Sequence, residues 1–259
     1  MEYLDTAAVA ALGPAAAVAA LSAALRAGLD PSADPARVPV PLANGQFLLM
    51  PSEGPGATGV KVVTVAPDNP SRGLPRVHAA YLLFDRNTLA LRAVLDGTAL
   101  TTLRTPAVSV AAVLPCLADR ALHVVVIGGG PQATGHAATI AAVRPVAALT
   151  YLVREPARCA VPSVRLGSAE ADTALRAADV VVCATSARTP LFDSTVLRDD
   201  VVVMAVGSHE PDARELDAAL MARSTVVVED VATALREAGD VVMAIADGHL
   251  TADRLVTMR

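Results

Sequence analysis

Aromatic side chains are nearly absent: 2% of the 259 residues, with no tryptophan, although 53% are hydrophobic. Alanine and valine carry the apolar count, so a core of small side chains is expected. Cysteine is scarce too. Cys116, Cys159 and Cys183 are far apart and form no C-x-x-C pair. That argues against a disulfide framework and reads as reduced, mostly buried thiols in a cytoplasmic protein. Five scattered histidines give no metal-ligand spacing. No basic tail or stripe exists and the net charge is -5, which argues against nucleic acid as a partner. A membrane segment is not expected either. Thr6–Leu25 carries no charge, but alanine dominates it, Gly13-Pro14 interrupts it, and Glu2 and Asp5 precede it in place of lysine or arginine. It reads as helix, break, helix. Pro14 suits the first turn of the second helix, Val18, Leu21 and Leu25 form its buried stripe, and Gly28 ends it.

What is present changes character along the chain. After a Pro/Asp/Ala-rich connection at 30–37, "QFLLMP", "GVKVVTV" and "RVHAAYLLFD" look like strands, and "NPSRGLP" (69–75) is a turn-rich loop. Residues 98–114 have the apolar spacing of a helix, with Pro106 close to its start. From 122 the pattern alternates between strands and helices. Strands are expected at 122–127, 148–153, 179–184, 201–206 and 225–229, which indicates an α/β fold with a Rossmann-type doubly wound parallel sheet. The expected organisation is an α+β domain at 1–118, a Rossmann domain at 119–235, and a return of 236–259 to the first region.

Residues 124–137, "VVVIGGGPQATGHA", carry the most specific local signal. A β-branched run stops at glycines, and Gly128, Gly130 and Ala133 fit G-x-G-x-x-G/A. The first glycine allows the tight turn, the second lets backbone approach a pyrophosphate, and the small third residue lets the helix pack on the strand. The helix N-terminus offers N–H groups and partial positive charge to phosphate. Pro131 and Gln132 belong to the same turn. A second strand runs into "YLVREPAR". Arg154 stands where an acid often reads the ribose 2′-OH, which suits a 2′-phosphate and hence NADPH, with Arg158 a turn later. Glu155 as the ribose ligand, and so NADH, is the alternative. Thr185, Val206 and Gly207, which follow the third and fourth strands, complete the expected cofactor-binding set.

"GVKVVTV" with Lys61, "NPSRGLP", "LDGTALTTLRTPAVSVAA" with Arg104, "VIGGGPQA" and "AVGSHEPDARELD" occur in this order. Together they resemble the ornithine cyclodeaminase/μ-crystallin family over roughly 35–250, and "NPSRGLP" with "LVREP" looks most like its Δ1-pyrroline-2-carboxylate reductase branch. The resemblance implies a Rossmann domain plus a substrate domain that dimerises through its sheet. It also implies NAD(P)H-dependent reduction of a small cyclic imino acid, Δ1-pyrroline-2-carboxylate or Δ1-piperideine-2-carboxylate, to L-proline or L-pipecolate. Arginine is the natural bidentate clamp for the substrate carboxylate, which suits Arg104, and Lys61 in an apolar strand needs an anionic partner. The resemblance adds Arg37 as a further carboxylate ligand. Other readings stay open: Lys61 pointing outward from an edge strand, and Arg104 paired with Asp96.

Ornithine cyclodeaminases carry an aspartate in the "GS" loop, where this sequence has His209. That favours imine reduction, with His209 as a substrate contact or as a surface residue. Asp212 and Glu215 read as turn and helix N-terminal residues. The family's C-terminal "F-x-S-V-G" segment, which the resemblance gives a part in closing the active site and completing the substrate domain, has no counterpart in these residues. Two rivals to imine reduction remain: cyclodeamination or open-chain amino acid dehydrogenation, and ligand binding without turnover.

Overall fold

Strand-forming residues gather in two blocks, the first building one sheet and the second a larger and a smaller one. The computed structural model describes residues 1–258. They divide into two units, Met1–Thr105 and a second that begins at Pro106. This boundary falls earlier than the expected 118.

The first unit runs β1 (Glu2–Leu4), α1 (Thr6–Ala10), α2 (Pro14–Arg26), β2 (Val38–Leu42), β3 (Gly45–Glu53), β4 (Thr58–Val65), β5 (Val77–Phe84), β6 (Leu91–Asp96) and α3 (Gly97–Val113), whose last turns belong to the second unit. Six strands form one sheet in the order β1-β6-β5-β4-β3-β2. β2 to β6 are an antiparallel meander, and β1 adds parallel to β6. β2 reads V-P-V-P-L; proline cannot donate to a ladder, and this strand lies at the edge. α2 begins with Pro14 at its first position. It closes as a Schellman motif at Gly28, with Gly28 N–H to Leu25 O and Leu29 N–H to Ala24 O, both 3.0 Å. Val18 is buried as expected, but Ser22 shares that face and Leu21 and Leu25 are only half-buried. Pro106 lies well inside α3, not close to its start. Ala99, Leu100 and Leu103 of α3 pack with Leu4, Val9, Tyr81, Leu83, Ala93 and Leu95.

The second unit continues with β7 (Leu122–Ile127), α4 (Pro131–Val143), β8 (Val146–Val153), β9 (Val164–Arg165), α5 (Ala169–Ala177), β10 (Val180–Cys183), β11 (Val202–Ala205), α6 (Ala218–Arg223), β12 (Val226–Val228), α7 (Val231–Glu237), α8 (Gly239–Ala246) and β13 (Leu255–Thr257). Five parallel strands lie in the order β11-β10-β7-β8-β9. Read from the other edge this is 3-2-1-4-5, the doubly wound order of dinucleotide-binding sheets. Four expected strands are β7, β8, β10 and β11. The run at 225–229 does not join them: β12 pairs with β13 in a separate two-stranded sheet, and the short β9 takes the fifth place. The expected return of 236–259 is also corrected, because α8 and β13 belong to the second unit, where α8 packs on α6 and α7. All three cysteines are unbridged, as expected, but only Cys183 is buried; Cys159 is half-buried and Cys116 exposed.

One buried acid ties α8 to the loop before α6. Asp240 is 7% exposed, and its Oδ1 accepts Glu215 N–H and Leu216 N–H, both at 2.9 Å. Burial pushes its pKa up from 3.8 to about 6, against the pull of those hydrogen bonds. A folded pKa above the unfolded one means that the folded state holds the proton more tightly. This group's contribution to stability therefore falls as pH rises from about 4 to about 6, by on the order of 2–3 kcal/mol. Asp240→Asn keeps Oδ1 as an acceptor without the buried charge. In thermal melts across pH it is expected to lose this fall, and at about pH 8 to match or exceed the wild type in Tm. A variant less stable than wild type at about pH 8, with an unchanged slope, would contradict this account.

Candidate active site

The glycine turn lies where β7 ends and α4 begins. Gly128 has a φ of +124°, and a Cβ there would sit 2.5 Å from Ala184 O. Only glycine fits, because the turn needs left-handed backbone against the end of β10. Ala133 is fully buried, as close packing of α4 on the sheet requires. Gly130 is different. It is the N-cap of α4 with ordinary extended backbone (φ -86°), and a Cβ there would meet nothing within 4 Å. The chain itself does not require glycine at 130, so what the missing side chain leaves is open space in front of the turn. Pro131 occupies the first position of α4, and no side chain caps the helix. The buried Oε1 of Gln132 has no hydrogen-bond partner among the described residues. An unfilled space and an uncapped helix start together fit a phosphate-bearing ligand.

The remaining cofactor candidates lie at the same carboxyl edge of the parallel sheet. Arg154 follows β8 and is exposed, while Arg158 is paired with Glu155 at 3.4 Å across an exposed surface. Thr185 follows the end of β10, and Val206 and Gly207 follow β11. Val206 N–H donates to Cys183 O at 2.9 Å. Ligands of doubly wound sheets bind at this edge. His209 lies just beyond, exposed, with Nδ1 2.8 Å from Gly207 O. Asp212 lies in a turn, as expected; it and Glu210 are both ion-paired to Arg188.

Glu215 departs from its reading as a helix N-terminal residue. Asp217 caps α6 instead, accepting from Leu220 N–H. Glu215 is fully buried. Its Oε1 accepts Thr185 N–H at 2.8 Å and Thr185 Oγ–H at 2.6 Å, and its Oε2 accepts Gly207 N–H at 2.8 Å. No spacing rule exposes this role, because it depends on a loop folding back beneath two strand ends.

Within the first unit, pairing register locates Lys61. Residues directly opposite on neighbouring strands point to the same face. Lys61 pairs with Tyr81, Tyr81 with Leu95, and Leu95 with Leu4. The last three pack against α3, so Lys61 emerges on the sheet face that α3 covers. Its strand is interior, between β3 and β5, so the outward-pointing edge reading falls. Arg104 lies one turn beyond Leu100 on the covering helix and is half-buried, as is Lys61. Asp96 instead serves α3 and α1: Oδ1 accepts Thr98 N–H and Ala99 N–H, and Oδ2 accepts Thr6 Oγ–H at 2.5 Å. The Thr6 bond, followed by the Ala99 N–H, holds its carboxyl below the usual range. Arg37 is exposed, immediately before β2. A compositional signal also marks Lys61: it is the only lysine in the chain, every other basic side chain being arginine or histidine.

Known proteins share both the sequence pattern and the fold. The model of the ornithine cyclodeaminase/mu-crystallin family matches residues 11–257. The Delta(1)-pyrroline-2-carboxylate/Delta(1)-piperideine-2-carboxylate reductase of Azospirillum brasilense is 37% identical over 225 residues, 82% of this chain and 70% of that protein. Delta(1)-pyrroline-2-carboxylate reductase 2 of Burkholderia ambifaria is 35% identical over 237 residues, 86% of this chain and 74% of that protein. Among solved structures, Thermococcus litoralis Delta(1)-pyrroline-2-carboxylate reductase, in complex with NADH and L-proline, matches with a TM-score of 0.85. It is 26% identical, and the match covers 100% of this chain and 85% of that one. This chain therefore belongs to the ornithine cyclodeaminase/mu-crystallin family.

Proposed function

We propose that this protein reduces a cyclic α-imino acid, Δ1-pyrroline-2-carboxylate or its six-membered homologue, with a nicotinamide cofactor, giving L-proline or L-pipecolate. One observation carries the reading. A family member similar to named reductases of these substrates keeps both a phosphate turn with room for a ligand and a lysine–arginine pair on one covered sheet face. When bound, the nicotinamide supplies hydride to the imine carbon. The chain's own work is binding and orientation. We assign the substrate carboxylate to Arg104 and Lys61, with Arg37 and His209 as further substrate contacts. A carboxylate held by two cations fixes the neighbouring C=N carbon, which is the electrophile once the imine nitrogen is protonated.

We assign the pyrophosphate to Gly128–Ala133, and Thr185, Val206 and Gly207 to the cofactor's other half. NADPH is the preferred form in this reading, because the exposed Arg154 offers a planar cation at the end of β8 and Glu155 is paired with Arg158. We also infer a homodimer through the sheet face opposite α3, where Phe47, Leu49, Val60, Val62, Leu82 and Val94 are half-buried in the single chain. Light scattering at micromolar concentration is expected to give twice the chain mass; a monomer would contradict the dimer.

On the cofactor side, Gly130→Val is expected to weaken binding at least about tenfold while leaving Tm within a few degrees, because only the ligand needs that space. Unchanged affinity in a folded variant would remove the pyrophosphate from this turn. Arg154→Ala is expected to lose about ten- to a hundredfold in NADPH affinity, the worth of one charge-assisted contact, with NADH affinity unchanged. Equal losses for both cofactors would show that Arg154 does not read the phosphate.

On the substrate side, Arg104→Leu leaves a bound carboxylate short of its main partner, a loss of about 2–5 kcal/mol. That corresponds to a fall in kcat/KM for the imino acid of roughly thirty- to several-thousandfold, with cofactor affinity intact. Lys61→Met is expected to act alike, and the double variant to lose less than the sum because both contact one ligand. Steady-state kinetics normalised to folded protein check this. Lower Tm with intact kinetics would make both residues structural.

A further inference from the structure

Three donors from two loops meet on a single buried side chain, and no cation is among them. The carboxylate of Glu215 takes Thr185 N–H and Oγ–H on one oxygen and Gly207 N–H on the other, all within 2.8 Å. Thr185 follows the end of β10 and Gly207 follows β11. We propose that Glu215 is the positioning residue for the nicotinamide half of the cofactor, its carboxylate fixing the spacing of the two strand ends that receive that half. The inference rests on the cofactor reading given under Proposed function.

Topology says which half of the cofactor is concerned. In the order β11-β10-β7-β8-β9, the pyrophosphate turn follows β7 and the ribose-reading position follows β8. β10 and β11 lie on the opposite side of β7, so their ends serve the half of the dinucleotide that does not carry adenine.

The chemistry says why the residue is an acid. Two adjacent oxygens with no hydrogen can accept from both loops at once. A glutamine has one oxygen and one NH2, and either orientation sets N–H against a donor, Gly207 N–H one way and the two Thr185 donors the other. No slack exists between the loops. A Cβ on Gly207 would fall 2.0 Å from Thr185 O and 2.8 Å from Glu215 Oε1. The clamp is also braced from behind. Asp240 Oδ1 accepts Glu215 N–H, and Asp240 N–H donates at 3.1 Å to Oγ of Ser208, the neighbour of Gly207. The circuit Glu215–Gly207–Ser208–Asp240–Glu215 thus closes on itself.

The test uses the full chain and two ligands that differ only by the nicotinamide: NADPH and 2′-phospho-ADP-ribose. Titration calorimetry of Glu215→Gln is expected to show NADPH bound about tenfold or more weakly than by wild type. Affinity for 2′-phospho-ADP-ribose is expected to stay within about twofold, and kcat for the imino acid to fall more than its KM changes. Glu215→Asp, with shorter reach to both loops, is expected to give no rescue. Two results would overturn the clamp: both ligands bound as by wild type, or both weakened equally, which marks a general structural role. Should Glu215→Gln fail to fold, Thr185→Val carries the test, since it removes one of the three donors and keeps the backbone N–H. It is expected to show the same split at about threefold, and no split would overturn the proposal. A wild-type chain with no affinity for NADPH or NADH would overturn the cofactor reading itself, a result distinct from any of these.

Discussion

A parallel sheet leaves peptide groups at the carboxyl ends of its strands that the ladder no longer pairs, and the second unit is organised by where those groups go. The ladder carries one residue beyond three strands: Gly128 N–H reaches Leu152 O, Ala184 N–H reaches Ile127 O and Val206 N–H reaches Cys183 O, each at 2.9 Å. Past that point the two sides of the edge part. Thr185 and Gly207 give their N–H groups to Glu215, and the β10–β11 side is satisfied from within. The start of α4, on the β7 side, has no side-chain cap and has open space in front of Gly130. Along a single edge, one half is therefore closed by a buried side chain and the other half is open.

The scarcity of aromatics makes this edge possible. All four residues of β10 are completely buried, as are Ala133, Ala171, Ala178 and Ala244. Small and β-branched side chains let helices approach both faces of the sheet closely. Large rings would hold the layers further apart. The amino ends of the strands are pinned by charge. Asp179 takes Arg120 bidentately at 2.7 and 2.9 Å and His123 N–H at 2.9 Å. Arg120 foremost, aided by His123 N–H and Arg198, outweighs burial and holds the Asp179 carboxyl below its usual range.

Most of the fold was legible because it rests on periodicity. Valine runs announce β7, β10 and β11, whereas the prolines of V-P-V-P-L hid the edge strand β2. β1 and β9 have three and two residues, too few to show a period, and β12 looks like a fifth sheet strand until β13 claims it. Pro106 was misplaced because a helix held by its packing face tolerates an interior proline that intrinsic propensity disfavours. Among the candidate residues, Gly128 could be read from its turn, and Lys61 from its anomaly in an apolar strand. The chain's single lysine was a further signal. Glu215 could not be read. An acid between surface-like neighbours in "DAREL" carries no mark of burial, and its partners are backbone groups that have no sequence identity.

Every role proposed for these residues converges on hydride transfer to the carbon of a cyclic imine. The most direct measurement incubates the chain with NADPH carrying deuterium at both C4 positions of the nicotinamide and with Δ1-pyrroline-2-carboxylate. Mass spectrometry of the product, with the absorbance of the reduced cofactor followed in parallel, reads the transfer. Proline with one deuterium at C2, formed in equal amount to the cofactor oxidised, is the expected product. Binding of NADPH with no oxidation by either the five- or the six-membered imine would contradict that transfer.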